Sequence, residues 1–454
     1  MSAIATVDQR VLWHPFTQMR EWLGSDPLVI VEGQGRHLID EQGRRYLDGV
    51  SSLWCNVHGH RHPVIDEAIR RQLDRVAHTT MLGLTHPGAV ELADRLLKIV
   101  PADLTRVFYS DAGATATEIA LKIAFQYWQL RGDGKRTRFA SLVEGYHGDT
   151  LGAVSVGYSE AFHRFYTPLL FDVDRLPPPH VWRWREGLDA DAACTRAIEA
   201  ARRLFQERGR ELAAVILEPL VQGAAGMWTH PKEYLREVAR LAREAGTLLI
   251  CDEVATGFGR TGSMFACEQA GVRPDLLCVG KGLTGGYLPL AATFVTEEVF
   301  QQFVGPYDEY VTFFHGHTYT GNPLACAAGL ASLDVFESER TLENVRARAA
   351  ELAERLEREV APLAHVGDVR RRGLMVGIEL VADRAQRTGY APRDRVGQRV
   401  CLRAREAGVI IRPLGDVVVL MPPLAILPSE LDLLVDATVE SIRAVTEGAD
   451  APRG

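Results

Sequence analysis

A chain of 454 residues, 46% hydrophobic and 24% charged, is long enough for a large core and has the composition of an ordinary globular protein, here expected to form two domains. A formal net charge of -8 excludes the basic surface that nucleic acid or an anionic membrane selects. No apolar run approaches the roughly 20 residues of a membrane helix, and the opening MSAIATVDQRVLWHPF lacks a basic stretch before an apolar core, so a cytoplasmic protein is expected.

Residues 1–63 read as an N-terminal segment that belongs to a small domain, 64–337 as a large domain and 338–454 as the C-terminal rest of the small one. The first segment carries Trp13-His14-Pro15-Phe16, then two strand-like pieces, LVIVEG and GRHLIDEQGRRYLDG, with hairpin-type glycine turns. In SSLWCNVHGHRHP, Trp54 either caps a core or walls a site. His58, His60 and His62 alternate like metal ligands, but Gly59 and Pro63 signal a turn and no Cys or acidic cluster completes a set, so no metal is expected.

From residue 64 helix and strand patterns alternate. VIDEAIRRQLDRVAH and GAVELADRLLKIV read as helices and RVFYSD as a strand. In the helix AGATATEIALKIAFQYWQL, Ile119, Ile123 and Tyr127 make one apolar stripe. Gly113 and Ala114 at its start either present free N–H groups to an anion such as phosphate or mark an ordinary small-residue helix start. RFASLV is a strand that leads to Tyr146-His147-Gly148-Asp149, where the tyrosine ring can stack on a planar ligand or close the core. Residues 175–190, RLPPPHVWRWREGLDA, read as loop. A helix, ACTRAIEAARRLFQER, precedes the strand AAVILEPL that ends at Glu218-Pro219, and the helix KEYLREVARLAREAG feeds LLICDEV.

The chemistry is expected where two short apolar runs, 248–251 and 276–279, each end at a charged residue among glycines, Asp252 and Lys281. Ligands of open α/β sheets bind beyond the carboxyl ends of the strands, so an amine and a carboxylate delivered there face one crevice. A partly desolvated lysine can form a Schiff base, and an aspartate can keep a pyridine nitrogen protonated. The alternative is a solvated loop lysine and a capping aspartate. Gly257, Gly259 and Gly262, and again Gly280, Gly282 and Gly285, spell G-x-G-x-x-G, the mark of a nicotinamide site. Two copies so close, one without a clear helix after it and one with Lys281 between its glycines, argue against a nicotinamide oxidoreductase.

Beyond Lys281, the polar loop with Gly316, His317 and Thr318 leads into an alanine-rich helix, and TLENVRARAAELAERLEREV reads as a long helix with a solvated face. VRRRGLMVGIEL, AGVIIRPLGDVVVLMPPL and a final helix make an α+β end. The seven cysteines form no C-x-x-C pair and read as reduced, packed thiols.

The phrases WHPFTQM, VFYSDAGATATEIALKIAFQYW, GYHGDTLGAVSVG, DEVATGFGRTGSMFACE, TFFHGHTYTGNPLAC and RPLGDVVVLMPPL resemble the class III, fold-type I pyridoxal-phosphate aminotransferases, from Trp13 to Pro423. Within that class they are most similar to the group that converts 8-amino-7-oxononanoate to 7,8-diaminononanoate in biotin synthesis. The resemblance implies an α/β fold, with a mostly parallel sheet between helices in a large domain that binds pyridoxal 5'-phosphate, plus a smaller α+β domain. It implies Lys281, Asp252 and Tyr146 as catalytic residues, Lys281 forming the Schiff base and Asp252 bonding the ring nitrogen. Gly113 and Ala114 are implied to hold the phosphate, with His317 and with Thr318 of a partner subunit; Tyr146 and Val254 are implied on the two ring faces. Phe16, Trp54, Gly316 and Arg412 are implied on the substrate side, Arg412 as the carboxylate's partner. A homodimer that shares the phosphate site follows. S-adenosylmethionine-using members commonly carry tyrosine at the position of Phe16 and a tryptophan pair at Leu53-Trp54, so lysine is the favoured amine donor. The ω-amine:pyruvate aminotransferases, similar in Leu-Trp-Cys, are the alternative.

Overall fold

Four segments, Leu212–Leu217, Leu248–Asp252, Leu276–Val279 and Ala291–Thr296, are apolar on both faces and buried almost throughout, which fits them for the middle of a sheet covered on two sides. The computed structural model, which describes residues 2–180 and 188–448, places them there. In chain order the strands of this sheet are β1 (Leu104–Ser110), β2 (Arg138–Leu142), β3 (Val173–Leu176), β4 (Leu212–Leu217), β5 (Leu248–Asp252), β6 (Leu276–Val279) and β7 (Ala291–Thr296). In space the order is β1-β7-β6-β5-β4-β2-β3. Only β7 runs antiparallel to its neighbours, β6 and β1; the other pairs are parallel.

Alternate residues of each strand feed different cores, as the two-residue period of a strand requires. Ile216, Ile250 and Cys278 pack with Ile119, Ile123 and Tyr127 of helix α1 (Gly113–Leu130), the stripe seen in the sequence. Leu217, Cys251 and Val279 point the other way, into a core shared with helices α2 (Ala190–Arg208) and α3 (Lys232–Ala245). Gly246 closes α3 in the left-handed conformation, φ 65°, and turns the chain directly into β5.

Elsewhere Ile30–Gln34, His37–Asp40 and Arg45–Asp48 form an antiparallel run, and Val409–Ile410 joins it in parallel beside Arg45–Asp48. A further sheet orders Val366–Arg372, Met375–Leu380, Val417–Leu420 and Arg412–Leu414, and the helix Pro428–Thr446 follows.

Some elements differ from the sequence expectation. The N-terminal segment also holds helices Ala3–Val11 and Met19–Leu23. Strand β7 was not expected, and the charged helix Thr341–Arg355 continues in a π turn, Leu356–Val360. The stretch 175–190 is not all loop: β3 runs into it and α2 begins at its last residue, while 181–187 lie outside the described residues. The three alternating histidines do not share a side. His58 bonds Ser332, His60 bonds Asp48 and His62 bonds Glu339, because Gly59 and Arg61 both take positive φ and turn the chain between them.

Candidate active site

Strands β5 and β6 are parallel neighbours with Asp252 level with Cys278, so Lys281, three residues further on, emerges at the same sheet edge as Asp252. Lys281 opens a 3₁₀ turn, Lys281–Thr284, with φ 42°, a left-handed conformation strained for a residue with a Cβ. Its ammonium lies 5.6 Å from the centre of the Trp54 ring. Burial holds its pKa below the ordinary lysine value, against the pull of the Asp252 and Glu218 carboxyls; Arg260 pushes it down.

Asp252 is 4% exposed. Its Oδ2 accepts from Nδ1 of His147 at 2.7 Å and its Oδ1 from the Val254 N–H at 3.0 Å. The buried Nε2 of His147 has no partner among the described residues. Glu218 stands one residue past β4, where Leu217 pairs with Cys251, and so lies beside Asp252. It accepts from the N–H groups of Tyr146 at 3.1 Å and Gly223 at 2.8 Å, and burial pushes its pKa up to about 7.

The start of α1 abuts this cluster. A Cβ on Gly113 would stand 2.5 Å from Cγ1 of Val254, and one on Gly148, whose φ is +120°, 2.3 Å from Cβ of Ala114. Glycine at both positions lets the Tyr146 loop and the Val254 side chain close on the helix start, where the Gly113 and Ala114 N–H groups lack helical acceptors. His317 is held there by Nδ1 to Asp111 Oδ1 at 3.0 Å. Gly316 and Thr318 beside it are exposed.

The Tyr146 hydroxyl donates to Asp149 at 2.8 Å, and its ring lies nearly parallel to His163. Arg412, half-buried in Arg412–Leu414, has no carboxylate partner among the described residues; burial lowers its pKa. Phe16 is exposed at the surface, edge-on to Phe162 at 6.0 Å. Trp54 is buried, so it both caps the core and faces the lysine.

The glycine-rich stretches serve packing. A Cβ on Gly257 would strike the Glu253 carbonyl at 2.7 Å, one on Gly259 the Leu424 side chain at 2.8 Å, and one on Gly282 the Phe258 Cβ at 2.8 Å. Neither stretch opens a helix longer than the four residues of Lys281–Thr284. Sequence reasoning missed His147, Glu218 and Arg260. Glu218 carries the same signal as Asp252, an acid that ends an apolar strand. Arg260, fully buried, donates to the carbonyls of Trp54, Asn56 and Pro422 and so anchors the Trp54 backbone; nothing in its motif announces that.

An amine, a carboxylate braced by an imidazole and an anion-ready helix start at one sheet edge suit a planar cofactor with a ring nitrogen and a phosphate, the group the resemblance implies. The residues fit it.

Comparison with known proteins agrees. A family model described as "Aminotransferase class-III" matches residues 20–442. An adenosylmethionine-8-amino-7-oxononanoate aminotransferase of Nitratidesulfovibrio vulgaris is 58% identical over 453 residues, 98% of this chain and 83% of that protein. Its namesake in Geobacter sulfurreducens is 50% identical, with 97% of each chain covered. The crystal structure of the protein of that name from Methanocaldococcus jannaschii superposes with TM-score 0.92 at 45% identity, covering 97% of this chain and 98% of the other. A PLP-bound amine transaminase from an uncultivated Pseudomonas species superposes with TM-score 0.90 at 37% identity, covering 95% and 98%. The lysine and aspartate at adjoining strand ends thus have their setting: the chain belongs to the class-III aminotransferases.

Proposed function

We propose that this aminotransferase moves an amino group to the keto carbon of 8-amino-7-oxononanoate, giving 7,8-diaminononanoate for biotin synthesis, with pyridoxal phosphate as cofactor and S-adenosylmethionine as donor. The observation that carries the reading is the half-buried Lys281 amine, its pKa lowered by desolvation, at the end of one strand beside the His147-braced Asp252 at the end of the next. The names of the relatives supply the acceptor and the donor.

When bound, the cofactor supplies an electron sink for the carbon that loses its proton. Asp252, oriented by His147, would hold the ring nitrogen protonated. Lys281 would tether the cofactor and, as a free amine, would be the base that takes the proton from the donor carbon; burial favours that neutral amine. Gly113 and Ala114 hold the phosphate by backbone N–H groups, with His317 and with Thr318 of a second copy. Tyr146 and Val254 pack the ring faces. Phe16, Trp54 and Gly316 line the substrate side, and Arg412, with no carboxylate partner among the described residues, takes the substrate's.

The active unit is a homodimer, supported by exposed apolar side chains on the loop that carries Thr318: Tyr307 is 93% and Phe314 72% exposed. Residues 1–63 and 338–454 form the small domain around 64–337, supported by the strand pairing of Arg45–Asp48 with Val409–Ile410. The cytoplasm is the proposed location. Seven unpaired cysteines suit its reducing milieu; among the described residues no helix is long and apolar enough to cross a membrane.

A screen of donors and acceptors tests the reading. Consumption of 8-amino-7-oxononanoate with S-adenosylmethionine is expected. Lysine is the second reading, favoured by Phe16, which has no hydroxyl to offer, and by Leu53 beside Trp54; faster bleaching of the bound cofactor by lysine at equal concentration selects it. Exclusive use of simple amines with pyruvate removes the proposed acceptor. Borohydride is expected to fix the cofactor on Lys281 in a mass spectrum, and Lys281→Ala to abolish turnover.

A further inference from the structure

Glu218 is a buried ionisable group at this site to which the reaction above gives no task. It is 4% exposed, and its two oxygens take separate backbone donors: Oε1 accepts from Tyr146 N–H at 3.1 Å and Oε2 from Gly223 N–H at 2.8 Å. The first donor belongs to the loop of Tyr146 and His147, and His147 holds Asp252. The second belongs to the loop behind Trp54, since a Cβ on Gly223 would stand 3.2 Å from Cζ3 of that ring. One carboxylate therefore joins the loop that carries Tyr146 to the loop that backs Trp54, the ring that faces Lys281.

We propose that Glu218 is a positioning residue whose carboxylate fixes the Tyr146 loop against the Trp54 wall, and that its protonation loosens this clamp. The inference deepens the proposed function and rests on its placement of Tyr146 and Trp54 at the reacting centre. An ionised carboxylate accepts two charge-assisted bonds equally; the acid's hydroxyl oxygen is the poorer acceptor, so one loop is released when the proton arrives. The titratable groups that face Glu218 are Tyr146 and His147 from the loop after β2, Asp252 from β5 and Lys281 after β6. Burial and the Asp252 charge favour the protonated form and His147 opposes it, which brings the change to about pH 7.

Infrared difference spectra of the full chain between acid and alkaline pH, with and without pyridoxal phosphate, test the titration, and kcat and KM against pH test the clamp. In the wild type a buried carboxylic-acid carbonyl band is expected to grow as pH falls through about 7, with a matching fall in kcat and little change in KM. Glu218→Gln, which offers one acceptor and sets an amide N–H₂ against the other donor, should lose the share of the band that Glu218 adds to that of Glu253, which also titrates at about 7, and run about tenfold slower at alkaline pH without the step. Glu218→Asp should keep a band and a pH step at reduced kcat. A band undiminished in Glu218→Gln relative to wild type, or a kcat profile identical to wild type, overturns the proposal; should Glu218→Gln not fold, loss of the step in Glu218→Asp overturns it. The band requires no turnover, so it reports on Glu218 even where the acceptor or donor proposed above fails.

Discussion

Lys281 combines a left-handed backbone with a desolvated amine, and both conditions bear on its reactivity. The backbone strain is retained because Gly282 packs its α-carbon against Phe258 and Gly285 continues the turn at φ 64°. Desolvation lowers the pKa from the ordinary 10.5, while the Asp252 carboxylate raises it. The neutral fraction of Lys281 therefore rises with pH along a curve centred below 10.5, and Asp252→Asn, by removing the opposing charge, moves that curve lower still. Carbamylation of Lys281 by cyanate in cofactor-free protein, followed by peptide mass spectrometry across pH, measures both curves. An upward shift in Asp252→Asn contradicts the placement of the carboxylate beside the amine.

At the scale of elements, α1 meets the turn after β5 at Gly113, and the contact sets how closely a cofactor is gripped. Gly113→Ala puts a methyl group 2.5 Å from Cγ1 of Val254, so one of the two must move, and cofactor affinity is expected to fall about tenfold, near 1.4 kcal/mol. Val254→Ala in the same chain clears that space. Because Val254 also packs a ring face, the double variant is compared with Val254→Ala alone by spectral titration with pyridoxal phosphate: equal affinities confirm a steric origin, and a further tenfold loss assigns it to the helix start itself. These elements were legible in the sequence because β4, β5 and β6 are continuous apolar runs and α1 has a regular stripe. Strand β7 was not legible: AATFVT by itself does not show that the chain reverses to pair with β6, and its other edge is set by pairing to β1, far off in the chain. The Asp252–Lys281 pair could be read because each ends its own strand. The His147 bond to Asp252 could not, since it depends on how the loop after β2 folds over β5.

Over the whole molecule the buried titratable groups govern acid tolerance. His230 is fully enclosed, its Nε2 bonded to Gln222 at 2.8 Å, and burial takes its pKa down to about 3. A base with a depressed folded-state pKa contributes its full stability above the unfolded value of 6.5 and loses it as pH falls toward 3. Between pH 7 and pH 5 this single histidine is expected to withdraw about 2 kcal/mol. Glu218 and Glu253, both pushed up to about 7, act the other way: each destabilises the fold progressively as pH rises from 4.5 to 7. His230→Gln should therefore show a smaller loss, or a gain, in urea midpoint between pH 7 and pH 5 than the parent chain. Parallel midpoints in the two proteins rule out this role for His230.

The antiparallel strand β7 also has a kinetic meaning. Val279 pairs with Ala292 across the connection that contains Lys281, a contact between neighbours in the chain, so this lysine hairpin closes a much shorter loop than the pairing with β1. The strand that leads into α1 joins it through Ala291 opposite Ser110, a closure over a long loop of chain that is slow by entropy. A refolding chain thus holds its amine before it has an anion pocket, and pyridoxal phosphate, which needs both, favours only the completed sheet and draws the last docking step forward.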